Sequence, residues 1–427
     1  MKKWLLLVLA FALVFTLAAC NTNESSDTSS EEAADSEATA EAPKLEGEIT
    51  FLTHRTDKAD NVLTEIANEF MEKNPGTKII VEPNPGDDIV KTRIAGGEFA
   101  DIMFEPGNSG WSKKDFQEFF EPIDDLGFTK DNTYYWANGT GEDGKLYLLS
   151  IGMGFNGVVY NKTAFEKAGI DKLPATVEEF YAASEKLKAA GIIPVASNFK
   201  DKWPIGGFAG GAYQGAVTGS SNFMNTLVDK ELLTDEKGGS LEGMRFLKSL
   251  NEKGYLEADI TSTNWDGSKR DMAQGKVAMM ILGTWLPSQI VDNGAKAEEV
   301  GMFPIPGSTA LVGGPDKLYG VTAASKNKPL AKAFFKYMWE NGYMLKKIGM
   351  IPLDKGATID DPFYAGLFES GLPQVEGEAN SQAYLERVGK AELDFSTMVQ
   401  EFVLAKANEE QAIIDKYNKK WADAKAK

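Results

Sequence analysis

Polar and apolar positions divide the chain at about residue 43. Ahead of that point, Lys2 and Lys3 precede an apolar run at residues 4–17, Ala18 and Ala19 follow, and the only cysteine, Cys20, comes next. Charge, length and ending read as a secretory signal at residues 1–19, its apolar stretch too short for a comfortable membrane span. Residues 21–42 hold seven acidic side chains, no basic ones and almost no large apolar ones. Such a segment cannot bury enough surface to fold, so residues 20–44 read as a disordered acidic tether. Beyond it the pattern becomes periodic. "GEITFLT" at 47–53 alternates as a strand, and Val62, Leu63, Ile66, Ala67 and Phe70 recur at helical spacing. "TKIIVE" at 77–82, a short helical stretch and "ADIMF" at 100–104 follow. Strand, helix, strand, helix, strand is the rhythm of a doubly wound α/β domain.

A second unit opens near 144–161. Its clearest helix is predicted at 177–190, with Thr176 and Glu179 as a capping box and Gly191 as a left-handed stop. Val177, Phe180, Ser184, Leu187 and Ala190 share one face of it. "GIIPVAS" at 191–197 and "KVAMMIL" at 276–282 predict strands. In the latter region, Gly283 lets the backbone turn and Pro287 forbids further pairing. Helices are predicted around 241–253, 327–342 and 391–424.

Length after residue 43 suits two domains, with no repeat of solenoid or propeller period. The formal charge is −18, and the part beyond residue 42 carries −13 once Lys2, Lys3 and the seven tether acids are set aside. That balance repels phosphate backbones, so nucleic acid is disfavoured as a partner. His54 is the only histidine, which excludes a multi-histidine metal site and leaves one residue for any Ser-His-Asp arrangement. With Cys20 acylated there is no cysteine nucleophile and no disulfide. The glycine-rich "PIGGFAGGAYQGAVTGS" at 204–220 and "GGPDK" at 313–317 lack the Gly-Lys-Ser/Thr ending of a phosphate loop and read as plain loops or close-packing glycines. No cofactor and no metal is called for. Carboxylates are abundant enough for a glycosidase pair, but nothing singles out two of them.

Several motifs occur together and in order: "VVYNKTAFEKAGI" at 158–170, "PATVEEF" at 174–180, a Trp-Pro at 203–204, "GKVAMMILGTW" at 275–285 and "TAASKNKPLAKAFFKYM" at 322–338. With the weaker "KTRIAGGEFADIMF" at 91–104, they resemble the extracellular solute-binding proteins of carbohydrate ABC importers, the family that includes maltose-binding protein. "LAAC" at 17–20 resembles the lipobox of bacterial lipoproteins, in which the cysteine is lipid-modified. The resemblance implies an α/β fold of the type II periplasmic-binding-protein kind, with a ligand cleft between two lobes joined by hinges. One lobe would take residues 45–148 and 322–348, the other 152–317 and 354–427, with hinges near 149–151, 318–321 and 349–353. It implies no catalysis. A monomer would capture a mono- or oligosaccharide by hinge closure, deliver it to the ABC permease, and be held to the outer face of the cell membrane by a lipid on Cys20.

Sugars present hydroxyls that donate and accept, and an apolar C–H face, so acids, amides and guanidinium groups flanking an aromatic suit them. Trp285 matches the family position that stacks on sugar. Trp203 reads equally as packing or ligand contact, and Trp265 with Asp266 as surface turn or cleft wall. In the loop after the first strand the resemblance points to Arg55 and Asp57, and after "ADIMF" to Glu105 and Asn108. Phe155 and Tyr319, beside the first and second hinges, could face ligand or pack internally. Asp316 is added from the neighbouring glycine loop. The maltose-binding pattern has an aromatic where Glu105 stands and an acid where Gly154 stands, departures that argue against a maltodextrin. The rival readings are a secreted glycoside hydrolase, separated by whether oligosaccharides are cleaved, and a sugar receptor feeding a membrane sensor, separated by neighbouring permease genes.

Overall fold

The computed structural model describes residues 44–56, 59–84, 86–106, 112–341, 343 and 348–425. The signal, Cys20 and the tether, and with them Asp57 and Asn108, lie outside the described residues.

Eleven strands among the described residues form two sheets. The first contains β1 (Gly47–Thr53), β2 (Thr77–Pro83), β3 (Ile102–Phe104), β4 (Leu149–Ser150) and β10 (Leu318–Val321), in the order β2-β1-β3-β10-β4. β1 runs parallel to both β2 and β3, as the strand–helix alternation predicts, while β10 returns antiparallel against β3, pairing Tyr319 with Phe104. The second contains β5 (Met153–Asn161), β6 (Ile193–Val195), β7 (Val277–Gly283), β8 (Val300–Phe303), β9 (Leu311–Pro315) and β11 (Gln374–Glu376). Its order is β11-β9-β5-β7-β6, with β8 also on β5. β7 is buried on both faces except at Ile281, which explains why it reads as a continuous apolar run.

The chain passes from the first sheet to the second through Ile151 and Gly152, and back through Asp316 and Lys317. A third segment lies against the first passage, where Met153 and Ile351 exchange backbone hydrogen bonds of 2.9 and 3.2 Å. One apolar cluster runs from Phe51, Phe104 and Phe334 on the first sheet through Ile151, Met153 and Met350 to Met280 and Met302 on the second. The passages are therefore packed in core and not draped over a surface.

Local sequence explains most helices. In Val177–Ala189, Thr176 and Glu179 form the predicted capping box, Gly191 has φ +75°, and Phe180, Ala183, Ser184 and Leu187 are buried. Ala190, expected on that face, is exposed because the helix ends before it. Helix Lys328–Glu340 carries proline in its first turn and buries Phe334 against Phe51 and Phe70. Two predictions are corrected. Of the two readings of the glycine-rich stretch 204–220, the loop fails: it is largely helical, Trp203–Gly207 and Tyr213–Thr218 flanking a kinked turn at Gly210 and Gly211, while close packing holds at Gly206, where a Cβ would stand 2.8 Å from Ser396 Cα. The C-terminal segment is two helices, Phe395–Leu404 and Glu410–Lys425.

Candidate functional site

β7 ends in a set of contacts that place one indole. Gly283 is the last strand residue and pairs with Asn156. Thr284 extends the ladder, its N–H donating to the Phe155 carbonyl and its Oγ1 accepting from the Phe155 N–H. Trp285 then precedes helix Leu286–Asp292, whose first turn takes Pro287. The Trp285 ring folds back over Gly283: a Cβ there would stand 2.3 Å from its Nε1. Gly283 therefore serves as the floor beneath the ring, where the sequence suggested only a backbone turn. Gly154 is also close: a Cβ there would stand 3.1 Å from Thr284 Oγ1 and in ordinary contact with Trp285 Cδ1 at 3.7 Å.

Trp203 and Trp265 complete a three-ring group, with centroids 5.2–5.8 Å apart. Asp201 ties two of the three: its carbonyl accepts from the Trp203 N–H and its carboxylate from the Trp265 N–H. Between them Lys202 is held at φ +62°, a region costly for a residue with a side chain. Trp203 is 44% exposed, so its ring is open to a ligand despite its contacts. Trp203 and Trp285 line a pocket of about 140 Å³ with Asn156, Phe208 and Ile305. Trp265 supports the other two rings and carries the Lys269 ammonium 4.8 Å from its own centroid, while exposed Asp266 pairs with Lys269.

Asn156 and Ala212 also line a much larger cleft, of about 1130 Å³. Its walls draw on both sheets and on the passage between them, with Glu105 and Asp316 among the lining residues. Glu105 directly follows β3, and its N–H donates to the Leu318 carbonyl. Burial pushes its carboxyl up to about 7, Lys317 pulling it down and Asp87 pushing it further up. The Lys317 ammonium is itself held by the Asp87 carboxylate at 2.7 and 2.8 Å. Asp316 stands 3.4 Å from His54 Nε2 and 3.6 Å from Arg55. Burial alone would raise its carboxyl, but the charge and hydrogen bond of His54 and the charge of Arg55 outweigh it and hold the group well below the usual carboxylate range.

Arg55 itself is buried and also reaches Met350 Sδ, so it fixes Asp316 and does not line the cleft. Two aromatic candidates take the packing alternative. Tyr319 is fully buried, its hydroxyl shared by Thr53 and His54. Phe155 is buried edge-on against Phe368. Neither ring faces the cleft. The structure adds residues that the sequence did not single out: Asn156, Lys113, Glu142, Glu376, Glu378 and the turn at Gly210 and Gly211. The glycine run was visible as a signal, but the others carry none. Tyr135, at φ +57°, joins the two sides of the cleft by donating its N–H to the Glu376 carboxylate at 2.9 Å. Among the described residues, no group of three or more His, Cys, Asp or Glu could hold a metal ion, and no helix is long and apolar enough to cross a membrane.

An aromatic pocket opening into a polar cleft between two α/β sheets suits a ligand with apolar faces and many hydroxyls. A model of the bacterial extracellular solute-binding protein family matches residues 56–344. The chain belongs to that family. Membership implies an extracytoplasmic location for this solute-binding protein. It is 26% identical over 290 residues to the multiple sugar-binding protein of Streptococcus mutans, covering 65% of this chain and 68% of that one. It is 22% identical over 346 residues to the melibiose/raffinose/stachyose-binding protein MelE of Bacillus subtilis, covering 75% and 76%. Among solved structures it resembles a manno-oligosaccharide-specific solute-binding protein of Bifidobacterium animalis subsp. lactis in complex with mannotriose. The TM-score is 0.77 and the identity 25%, over 90% of this chain and 95% of that one. The fold is thus the two-lobed, type II periplasmic-binding kind that the motifs suggest.

Proposed function

We propose that this solute-binding protein is the receptor of a carbohydrate ABC importer, capturing an oligosaccharide between its lobes and passing it to the membrane permease without chemistry. The observation that carries the reading is the placement of Trp203 and Trp285 at the edge of the polar cleft, indoles held open to ligand by Gly283 and Asp201. A sugar ring laid on them would bury its C–H face while its hydroxyls meet Asn156 and the cleft carboxylates. The sugars named for its relatives in Streptococcus, Bacillus and Bifidobacterium support the same reading. In this reading the lobes are 45–148 with 322–348 and 152–317 with 354–427, closing about segments near 149–151, 318–321 and 349–353. The body is a monomer tethered by residues 21–42 to a lipid on Cys20. Ligand stabilises the closed form, which the permease recognises.

Calorimetry with a panel of neutral tri- and tetrasaccharides tests this. At least one should bind and be recovered unchanged, and Trp285→Ala should weaken its binding by tenfold or more, about 1.4 kcal/mol. Cleavage of the sugar would make the protein a hydrolase, and unchanged affinity in the variant would remove the stacking role.

A further inference from the structure

The charges around the cleft bear on which sugars can enter it. Among the described residues five carboxylates line it, Glu105, Glu142, Asp316, Glu376 and Glu378, against one ammonium, Lys113. Asp316 is matched by His54 and Arg55. Among the described residues, none of the other four forms an ion pair with a lysine or arginine. Where they have hydrogen-bond partners, those partners are neutral: the Tyr135 N–H for Glu376 and the Ser221 hydroxyl for Glu378. Glu142, Glu376 and Glu378 therefore keep lone pairs for hydroxyl donors, with no lysine or arginine within ion-pair distance. A concave wall in which one sign predominates focuses its field into the cleft, and lobe closure would remove the water that screens it.

The arrangement is also asymmetric. The aromatic pocket at Trp203 and Trp285 holds no carboxylate, whereas Glu376 and Glu378 stand with Asn222 and Asn380 in the larger space beyond Asn156. That space, about 1130 Å³, exceeds the ~300–1,000 Å³ typical of a small-ligand pocket, so it has room for a chain of sugars beyond the ring on the indoles.

We propose that the cleft selects uncharged oligosaccharides and rejects those bearing uronic-acid carboxylates, the discrimination being strongest for carboxylates on units away from the tryptophans. Neutral hydroxyls donate to Glu142, Glu376 and Glu378 in charge-assisted bonds, whereas a uronate brings a like charge to a wall whose carboxylates outnumber its one ammonium, Lys113, among the described residues. This inference rests on the reading of the protein as a carbohydrate receptor.

The test uses the full chain, with mannotriose, raffinose and stachyose and the same sugars oxidised at C6 to uronates, titrated at low and high salt. The uronate of a sugar that binds should bind at least about tenfold more weakly at low salt, the gap narrowing as salt rises. A gap caused only by the lost C6 hydroxyl would not respond to salt. In Glu142→Gln/Glu378→Gln, which keeps shape and one acceptor oxygen of each carboxylate, the ratio of neutral to uronate affinity should fall by about threefold or more. A uronate that binds as tightly as its parent, a gap indifferent to salt, or an unchanged ratio in the double variant overturns the proposal and leaves the receptor reading standing. Failure of every sugar to bind removes the receptor reading, and this inference falls with it.

Discussion

Gly283 and Glu105 show how single positions govern the cleft. Because Trp285 Nε1 would lie 2.3 Å from a Cβ at residue 283, Gly283→Ala must push the indole off its floor. Alanine is otherwise acceptable at a strand end, so the fold should survive with a Tm within a few degrees of the parent. The tryptophan emission should change and sugar affinity should drop, toward that of Trp285→Ala; equal affinity and spectrum would show the ring does not depend on that floor. Glu105 gives a pH dependence whose sign follows from its raised carboxyl. Between about 4.5 and 7 the folded protein holds this proton and the unfolded chain does not, so stability falls as pH rises through that window. Glu105→Gln should therefore leave Tm nearly unchanged at pH 4.5 and raise it at pH 8, by up to about 3 kcal/mol of stability. Thermal melts of both proteins across that range check it, and parallel Tm curves would contradict the assignment.

At the scale of elements, Trp421 is the largest of the buried side chains that fasten the last helix. Trp421 is 1% exposed, donates its indole N–H to the Leu227 and Lys230 carbonyls, and lies 4.3 Å beneath the Arg387 guanidinium, which in turn bonds the Trp421 carbonyl. Trp421→Ala should cost about 3–5 kcal/mol through the cavity and the unpaired carbonyls. Its contacts lie in the helical layer of the second sheet and not in the cleft, so sugar should still raise the variant's Tm; loss of that ligand shift would tie the helix to binding. Elements like this one were legible before any coordinates wherever periodicity and caps agreed, as in β1, β2, β7 and Val177–Ala189. Glycine-rich 204–220 was not, because glycine's low helix propensity argues for a loop while packing of Ile205, Phe208 and Tyr213 decides for helix. The site divided along similar lines. Trp285 stood out as an indole past a strand end. Phe155 and Tyr319 could not be oriented from their positions beside a crossing, and Glu376 and Glu378 come from a three-residue strand with exposed ends and the irregular segment after it, which leave no periodic trace.

For the whole molecule, the question is whether the joined passages behave as a hinge. The first and third run together through the Met153–Ile351 hydrogen bonds, and Gly152 lies at their closest approach: a Cβ there would be 2.6 Å from Met350 Cβ and 3.0 Å from the Ile351 carbonyl oxygen. Backbone and a core side chain cannot yield as a flexible tip would, so Gly152→Ala must spread the two passages and change the angle at which the lobes meet. Gly152 does not line the cleft, so any effect on sugar affinity has to travel through lobe geometry. If the passages form the hinge, saturating sugar should reduce the radius of gyration of the parent in small-angle scattering. Gly152→Ala should show a smaller reduction together with an affinity loss of about threefold or more, since a ligand bound to a less populated closed form loses affinity in proportion. An unaltered scattering change with weakened stability alone would mean that these segments only pack the core, and that closure bends the chain elsewhere.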